Sequence, residues 1–424
     1  MSCAAWPRKA WCSVKKQVFE GIKVADFSWV GVGPETAREL AEHGATVIRI
    51  ESHKRPETLR LTGPFKDFTP GVDRSAFGTA YNTNKYGISL DLTHARAREV
   101  TTRLIKWADI VTDGFTPGTM KRLGLDYEAC RRIRPDTIYF STCQQGQDGP
   151  HANFGAYGVQ MAALAGFSHL TGWPDRAPAI VAGAYTDFIS PFYLTIAVIG
   201  ALLHRRRTGE GMYMEQSQME AGLTFLAPSI LDYHLTGRVA SRRGNRDAHG
   251  APHGVFPCEG TERWAAIAVG SDDEWAAFQR AIGEPPWSRE ERFATLAGRK
   301  EHEDDLEALV AEWTRGRSVE EVVETLQAHG VPAGVVAACE DLFNDPQLQH
   351  RGHFAELEHE EIGLHSYHAP AYRLSKTPSR LEKAGPCLGQ DNDYVYREIL
   401  CFSDDEVAEL LVDGVITTEA DLPY

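Results

Sequence analysis

A stretch of almost uninterrupted apolar side chains, from Phe188 to Leu203, constrains the fold of this 424-residue chain more than any other segment. Its polar members are Ser190, Tyr193 and Thr195. The pair Ser190-Pro191 is a helix-start signal, and a helix that is apolar on nearly all sides belongs inside a protein core. The run is also shorter than the roughly 20 residues of a membrane span. We therefore predict a buried core helix.

Asp187 is the acid immediately before this helix. A carboxylate at the positive end of a buried helix stays ionised and points in a fixed direction. Two roles fit such a residue, because it can cap the helix or act as a nucleophile. The local pattern alone leaves both roles open.

The segment around Asp187 continues into the basic stretch HRRRTGEG (204–211) and the strand-like Met212–Gln216. As a whole, 182–216 resembles the class III coenzyme A transferases, which include the formyl-CoA and carnitine CoA-transferases. Further similar segments follow in the family's order: VADFSWVGVGPETARELAEHGATVIRIE (24–51), NTNKYGISLDL (82–92), GFTPGTMKRLGLDYE (114–128), APHGVF (251–256), GVPAGVV (330–336) and DPQLQHRGHF (345–354). The resemblance implies that Asp187 is the catalytic nucleophile.

The same resemblance implies contacts to coenzyme A and an assembly. The residues expected along the coenzyme are Val30, Gly31, Val32, Ser52, Asn82, Asn84, Lys85, Gly114, Phe115, Thr116, Arg122 and Tyr157. Coenzyme A then enters as the acyl-CoA cosubstrate, with no tightly bound cofactor and no metal. Members of the family form interlocked dimers, which implies a homodimer or a heterodimer with a paralogous subunit.

Alternating strand and helix patterns predict an α/β protein. Lys23–Phe27 and Thr46–Glu51 are strand-like and flank a helical stretch at Glu35–His43, which is a βαβ unit of a parallel sheet. The chain length favours two domains, and a polar, turn-rich stretch at 241–254 marks a crossing. We predict a Rossmann-like large domain over 1–225, a smaller α+β domain over 226–334, and a part that returns to the large domain over 335–424.

Two departures from the formyl-CoA transferases bear on the acid substrate. Gly31 stands where those enzymes carry glutamine, and GNRDAHGAPHG replaces their glycine-rich loop. Both changes favour an acid larger than oxalate or formate. The chain resembles transferases that pass CoA from succinyl-CoA to a substituted succinate such as benzylsuccinate. Arg242, Arg243 and Arg246 are candidates for pairing a second carboxylate, or are simply solvated.

Two other functions stay open. α-Methylacyl-CoA racemases share this fold and need two bases, namely the aspartate matching Asp187 and a histidine whose place is taken here by Tyr157. A phenol with a pKa of about 10 is a poor base at neutral pH, so racemisation is the alternative to CoA transfer. A non-catalytic subunit that completes an assembly with an active partner is the third possibility.

Charge and cysteine content disfavour several classes of protein. A net charge of -15 argues against nucleic acid or an anionic membrane as the partner. The eight cysteines form no CxxC pair, which predicts reduced thiols and a cytoplasmic protein. The N-terminal MSCAAWPRKAWCSVKK lacks a continuous apolar core, so it is not expected to be a signal peptide.

Three further motifs favour structural roles over chemistry. The loop Gly31–Pro34 lacks the third glycine of a dinucleotide-binding fingerprint, because that position is Thr36. Five histidines between residues 350 and 368 lack HExxH spacing, so we predict a solvated acidic segment rather than a metal site. Cys143 has no evident base partner and is predicted to be a buried structural cysteine.

Overall fold

The computed structural model describes residues 16–181 and 183–417, which divide into two compact units. The large unit contains the described residues up to Phe167, the segment Ile180–Gly237 and the described chain from Gln349 onward, and the small unit contains Ser168–Ala179 and Arg238–Leu348. The chain enters the small unit first at Ser168–Ala179 and again at Arg238, and it returns to the large unit after Leu348. These passages differ from the boundaries predicted after residues 225 and 334. The prediction about a signal peptide falls mostly on 1–15, outside the described residues.

A six-stranded parallel sheet forms the centre of the large unit. Its strands are β1 (Lys23–Asp26), β2 (Thr46–Glu51), β3 (Tyr86–Ser89), β4 (Ile110–Asp113), β5 (Ile138–Cys143) and β6 (Met212–Ser217). They lie in the order β3-β2-β1-β4-β5-β6, and every neighbouring pair is parallel. In this doubly wound order the direction of winding reverses between β1 and β4. The predicted Rossmann-like fold is confirmed.

Apolar side chains on both faces of the sheet explain why helices cover it. Val24 of β1 packs on one face with the helix Val32–Glu42, and its neighbour Ala25 packs on the other with the helix Ala97–Trp107. The other α-helices of the large unit are Ala76–Ala80, Thr119–Arg122, Tyr127–Ile133, Gly158–Leu164, Tyr185–Thr208, Gln218–Leu223, Ala227–Thr236, Asn392–Tyr394 and Asp404–Val412. The shorter elements are the 3-10 turns Thr58–Leu61, Lys66–Phe68 and Thr224–Leu226, the π-helix Val395–Ile399, and the antiparallel strands Phe354–His359 and Gly363–His368.

The apolar run belongs to the helix Tyr185–Thr208, which we call the Asp187 helix. The predicted start at Ser190-Pro191 is wrong, because the helix begins earlier, with Ala184 as an N-cap that makes no side-chain bond and with Pro191 inside the helix. Proline has no N–H to donate to the carbonyl four residues back, which is that of Asp187. Core packing of the later turns outweighs this local start signal.

Burial of the Asp187 helix is one-sided. Leu194 and Val198 are buried in the core, whereas Phe192 and Ile196 are 53% and 67% exposed. The expectation of a helix buried on all sides is therefore wrong for the single chain. By length and composition alone the helix is long and apolar enough to cross a membrane, but 44% of its apolar window is buried in the protein. Core helices of ordinary globular proteins meet the same two criteria.

The small unit contains a three-stranded antiparallel sheet of β7 (His253–Pro257), β8 (Trp264–Ala268) and β9 (Ala333–Val335). Its α-helices are Asp272–Ala281, Leu296–Glu301, Glu303–Arg315, Val319–Ala328 and Cys339–Asn344, with 3-10 turns at Pro286–Arg289 and Glu291–Phe293. Phe278, Phe293 and Leu326 lie in its own apolar core. The short helices Phe167–Leu170 and Pro346–Arg351 lie where the chain passes between units. The predicted α+β character is confirmed.

Candidate active site

A cavity lies at the carboxyl edge of the parallel sheet, where loops after β1, β4 and β6 meet the end of β5. Doubly wound folds bind ligands at this reversal of winding. The lining residues are Trp29, Val30, Gly31, Val32, Gly33, Gly114, Thr142, Cys143, Gln144, Ala156, Tyr157, Gly158, Asp187 and Gln218. Asp187 therefore shares the cavity with some of the predicted coenzyme contacts, which are Val30, Gly31, Val32, Gly114 and Tyr157.

Two glycines flank the Asp187 carboxylate. A Cβ added to Gly31 would lie 3.1 Å from Asp187 Cβ and 3.2 Å from its Cγ. A Cβ added to Gly158 would lie 2.6 Å from Asp187 Cγ and 2.5 Å from Ala184 Cβ. The first contact is tight and the second leaves no room for a side chain. Glycine is therefore required at position 158, where the backbone approaches the carboxylate most closely.

Burial makes the Asp187 carboxyl a weaker acid than an exposed aspartate. The residue is 9% exposed, and burial raises its pKa to about 6, although a hydrogen bond from the Gln218 side chain acts in the opposite direction. At neutral pH the group is mostly ionised but poorly hydrated. A perturbed pKa in a cavity marks a candidate functional group, and a dehydrated carboxylate is suited to attack on carbon.

We predict that kcat/KM falls about tenfold per pH unit below about pH 6, because only the carboxylate form of Asp187 attacks. Gln218→Leu removes the donor that favours the charged form, so its inflection should lie at higher pH. The pH-rate profiles of the wild type and this variant provide the test. An inflection at about pH 4, where ordinary aspartates titrate, or an unshifted profile for Gln218→Leu would contradict the prediction.

The buried side chain of Lys85 holds the segment that follows β1 through hydrogen bonds. Lys85 Nζ lies 2.9 Å from Asp26 Oδ2, 2.8 Å from the carbonyl oxygen of Pro34 and 2.9 Å from Asn82 Oδ1. Burial lowers the pKa of Lys85 to about 8, against the raising effect of Asp26. Since an ammonium has three donors and all are used internally, a contact of the Lys85 ammonium with coenzyme A would require one of these bonds to break. The contacts of Lys85 and Asn82 with the coenzyme stay predictions.

Asn84 and Ser52 also have internal partners and do not line the Asp187 cavity. Asn84 adopts a positive φ of 59°, and its Oδ1 accepts the N–H groups of Glu382 and Lys383 at 2.9 and 3.0 Å. The carbonyl oxygen of Ser52 accepts the N–H of Arg55 at 3.3 Å. The contacts of these two residues with coenzyme A stay predictions.

The residues predicted from the loop after β4 are Gly114, Phe115, Thr116 and Arg122. They follow the strand on the same edge of the sheet as the cavity. The Phe115 ring lies 5.3 Å from that of Trp29, and Arg122 is exposed, with Nη2 donating to Thr119 Oγ1 at 2.9 Å. An exposed guanidinium keeps further donors for a phosphate group. The geometry is compatible with the predicted contacts.

Tyr157 precedes Gly158 and the short helix Gly158–Leu164. It is 60% exposed, and its N–H donates to Gln160 Oε1 at 3.1 Å. Its place in the cavity wall fits a substrate contact. None of the described residues that line the cavity is a histidine, so the second base of a racemase has no evident counterpart there.

Sequence reasoning missed Gln218 and Gly158. Gln218 follows β6 directly and is 8% exposed. Gly158 lies 29 positions before Asp187 in the chain, and the two residues are brought together only by the folding of the chain. The signal that could have found Gln218 is its place just after a strand, but using it requires knowing that β6 pairs with β5.

The candidate arginines for a second carboxylate lie in the small unit. Arg246 is already engaged, because its Nε lies 3.1 Å from Glu307 Oε1 and its Nη2 lies 2.6 Å from Glu307 Oε2. Arg242 Nη1 donates to the carbonyl of His169 at 3.0 Å, while Arg243 is exposed. For Arg246 the structural interpretation therefore fits better than substrate pairing.

One of the five histidines between residues 350 and 368 is buried. His359 is 3% exposed, and its Nδ1 accepts the N–H groups of Glu361 and Ile362, each at 3.1 Å; the prediction of a solvated segment is wrong for this residue. Within 16–181 and 183–417, no group of three or more metal-ligating side chains is found. Cys143 is buried, as predicted, and burial raises the pKa of its thiol to about 11.

Comparison with known proteins links this geometry to an enzyme family. A sequence model of CoA-transferase family III matches residues 19–392. A relative from Chloroflexus aurantiacus named succinyl-CoA–D-citramalate CoA-transferase is 27% identical, covering 94% of this chain and 98% of its own length. A formyl-CoA:oxalate CoA-transferase from Rhodopseudomonas palustris is 28% identical, covering 94% and 97%. The crystal structure of a CAIB/BAIF family protein from Brucella suis has a TM-score of 0.83 and 28% identity, covering 91% of this chain and 100% of that chain.

Proposed function

The chain belongs to CoA-transferase family III and is a CoA-transferase, and we propose that it moves coenzyme A from succinyl-CoA to a dicarboxylic acid larger than oxalate, through covalent intermediates on Asp187. One observation carries the mechanism. A buried carboxylate with a raised pKa lies between two glycines in the ligand-binding crevice of a doubly wound sheet.

The first half of the reaction breaks the donor thioester. A carboxylate oxygen of Asp187 attacks the thioester carbonyl carbon, and the C–S bond breaks with its electron pair leaving on the CoA thiolate. The remaining species is a mixed anhydride of Asp187 and the donor acid. The thiolate then attacks the Asp187 carbonyl carbon, the donor acid leaves as a carboxylate, and an aspartyl-CoA thioester remains.

The second half runs the same steps in reverse with the acceptor. The acceptor carboxylate attacks the aspartyl thioester and releases CoA thiolate, which then attacks the acyl carbon of the acceptor and frees Asp187. The overall reaction makes one thioester for each thioester that it breaks, so this sequence needs no ATP. Water must be excluded, because it would hydrolyse the anhydride. Backbone N–H groups of Gly31–Gly33 are candidates for stabilising the oxyanion.

The residues of the site support a larger acid. The D-citramalate and oxalate transferases are nearly equally identical to this chain. Overall similarity therefore does not decide which acid this chain uses. Gly31 places no side chain beside Asp187, whereas the formyl-CoA transferases have a glutamine at the matching position. We therefore propose an alkyl- or aryl-substituted dicarboxylate, such as benzylsuccinate, as the acceptor.

A panel of acids tests this substrate class. The protein is incubated with succinyl-CoA and, separately, D-citramalate, glutarate, benzylsuccinate, butyrate, oxalate and formate, and the CoA esters are identified by mass. The expected result is transfer to at least one of the first three acids and none to oxalate or formate. The proposal fails if oxalate, formate or the monocarboxylate is the best acceptor.

We further predict that the protein does not wash deuterium into the α-position of a 2-methylacyl-CoA in heavy water. The reason is that Tyr157 occupies the place of a second base and no histidine lies among the described cavity residues. The measurement is mass spectrometry of the recovered thioester. Exchange as fast as CoA transfer would make racemisation the principal activity.

We also propose that the chain works as a dimer in a reducing, cytoplasmic environment. The exposed apolar face of the Asp187 helix supports a second chain, identical or paralogous, because large contiguous apolar patches mark interfaces. Its members are Phe188, Phe192, Tyr193, Ile196, Ile199 and Leu203. The cysteines described are free thiols. The mass of the protein in solution, expressed alone, separates a homodimer from a chain that requires a different subunit.

A further inference from the structure

Val30, in the loop after β1, has a backbone conformation that its side chain disfavours. Its φ is 65°, in the left-handed region where a β-branched residue is a genuine outlier. Such conformations persist only where the surrounding structure enforces them, and they cluster at active sites. Val30 lines the Asp187 cavity, so the cause of its conformation bears on the site.

Glu57 is the group that holds this conformation. The Val30 N–H donates to Glu57 Oε1 at 2.8 Å. Burial raises the pKa of Glu57, whereas Arg49 and the N–H groups of Leu59 and Val30 act in the opposite direction. Glu57 is 1% exposed, and no hydrogen-bond partner is found for its Oε2 in the part of the chain that is described. The cation that faces this oxygen, Arg49, has its Nη2 3.8 Å away. The shorter of these two contacts is therefore the hydrogen bond to Val30 in the loop after β1.

The residue next to Val30 in the chain lies against Asp187. Gly31 follows Val30 directly, and its Cα is close enough to Asp187 that an added Cβ would lie 3.1 Å from the Asp187 Cβ. The Gly31 carbonyl also accepts the N–H of Glu35 at 3.0 Å, which begins the helix Val32–Glu42. A different φ at Val30 would redirect Gly31 and the peptide groups after it.

We propose that Glu57 is a positioning residue of the active site, which holds Val30 in the left-handed conformation and thereby sets the Gly31–Gly33 backbone against Asp187. It acts through Val30 and contacts no reacting atom. This role rests on the proposed function of Asp187. The competing interpretation is that Glu57 serves only as a counter-ion for buried Arg49.

A matched pair of substitutions separates these roles. Glu57→Gln and Glu57→Met both remove the charge that faces Arg49, and they have similar length, but only glutamine retains an acceptor for the Val30 N–H. Each is made with Val30 intact and in a Val30→Gly background, where positive φ carries no steric cost. With Val30 intact, we expect kcat for the methionine variant to be about tenfold below that of the glutamine variant. With Val30→Gly, the difference should shrink to less than about twofold.

Two outcomes would contradict the positioning role of Glu57. Equal losses for glutamine and methionine, or a difference that persists in the Val30→Gly background, would assign Glu57 to Arg49 and overturn the proposal. If Glu57→Met does not fold, the double variant decides, because glycine at position 30 must then restore a folded protein, as measured by circular dichroism and thermal unfolding.

Amide hydrogen exchange of the peptide that contains Val30 gives a readout independent of catalysis, and exchange should be faster in Glu57→Met than in Glu57→Gln. Equal exchange rates would count against the proposal. A wild type that transfers CoA to no acid would defeat the proposed function, whereas this exchange measurement would still decide the role of Glu57.

Discussion

Asp187→Asn is expected to lower CoA transfer by more than about 100-fold, because an amide cannot form the anhydride and removal of a nucleophile abolishes its covalent route. Hydroxylamine added during turnover should convert Asp187 of the wild type, but not the variant, to a hydroxamate detectable by mass spectrometry. Transfer above about one per cent of wild type would refute the nucleophile assignment, provided that deamidation back to aspartate is excluded on the same sample.

The same substitution should leave the fold intact or strengthen it. The folded-state pKa of Asp187 is raised to about 6 from 3.8, so burying the ionised form costs stability above pH 6, by up to about 3 kcal/mol. Asparagine carries no charge, so its Tm should equal or exceed that of wild type at pH 8. The gap should narrow as the pH falls through 6, where wild-type Asp187 takes up its proton. A variant that is both inactive and less stable at pH 8 would indicate a structural defect instead.

The sheet could be predicted because its strands carry their signal locally. Thr46–Glu51 is rich in β-branched residues, and its predicted and observed bounds coincide; β-branched residues favour strands. The start of the Asp187 helix could not be predicted in this way. Ser190-Pro191 is a true local start signal, but packing of the neighbouring turns carries the helix through Pro191.

The candidate site was predictable at Asp187 and along the loop after β1, where residues close in sequence share one motif. Other members depend on strand order and long-range contact. Gln218 reaches the site because β6 pairs with β5, and Glu57 reaches Val30 because the chain after β2 returns beneath the loop after β1. Lys85 was predicted to contact coenzyme A from its sequence motif, and the sequence did not indicate that its side chain forms an internal ion pair with Asp26.

Gly158→Ala is expected to lower transfer by about 100-fold, the size of effect seen when a reacting group is displaced by about 1 Å. The added methyl would lie 2.6 Å from Asp187 Cγ and 2.5 Å from Ala184 Cβ, so the carboxylate or the short helix Gly158–Leu164 must move. Local propensity acts in the other direction, because alanine favours a helix over glycine by about 1 kcal/mol. Activity should therefore fall without a matching fall in helical stability. Steady-state kinetics and thermal unfolding of the variant measure the two effects separately.

Gly155→Ala is the matched control, because Gly155 lies in the same loop, is exposed, and a Cβ added there meets no atom within 4 Å. It should transfer CoA at a rate within about twofold of wild type, as surface substitutions away from special features usually do little. Equal losses in the two variants would mean that the loop as a whole, rather than the contact with Asp187, requires glycine. Full activity in Gly158→Ala would contradict the proposed role of Asp187 more directly. It would show that the carboxylate can move away from Gly158 without consequence, which a nucleophile held in place by its neighbours could not do.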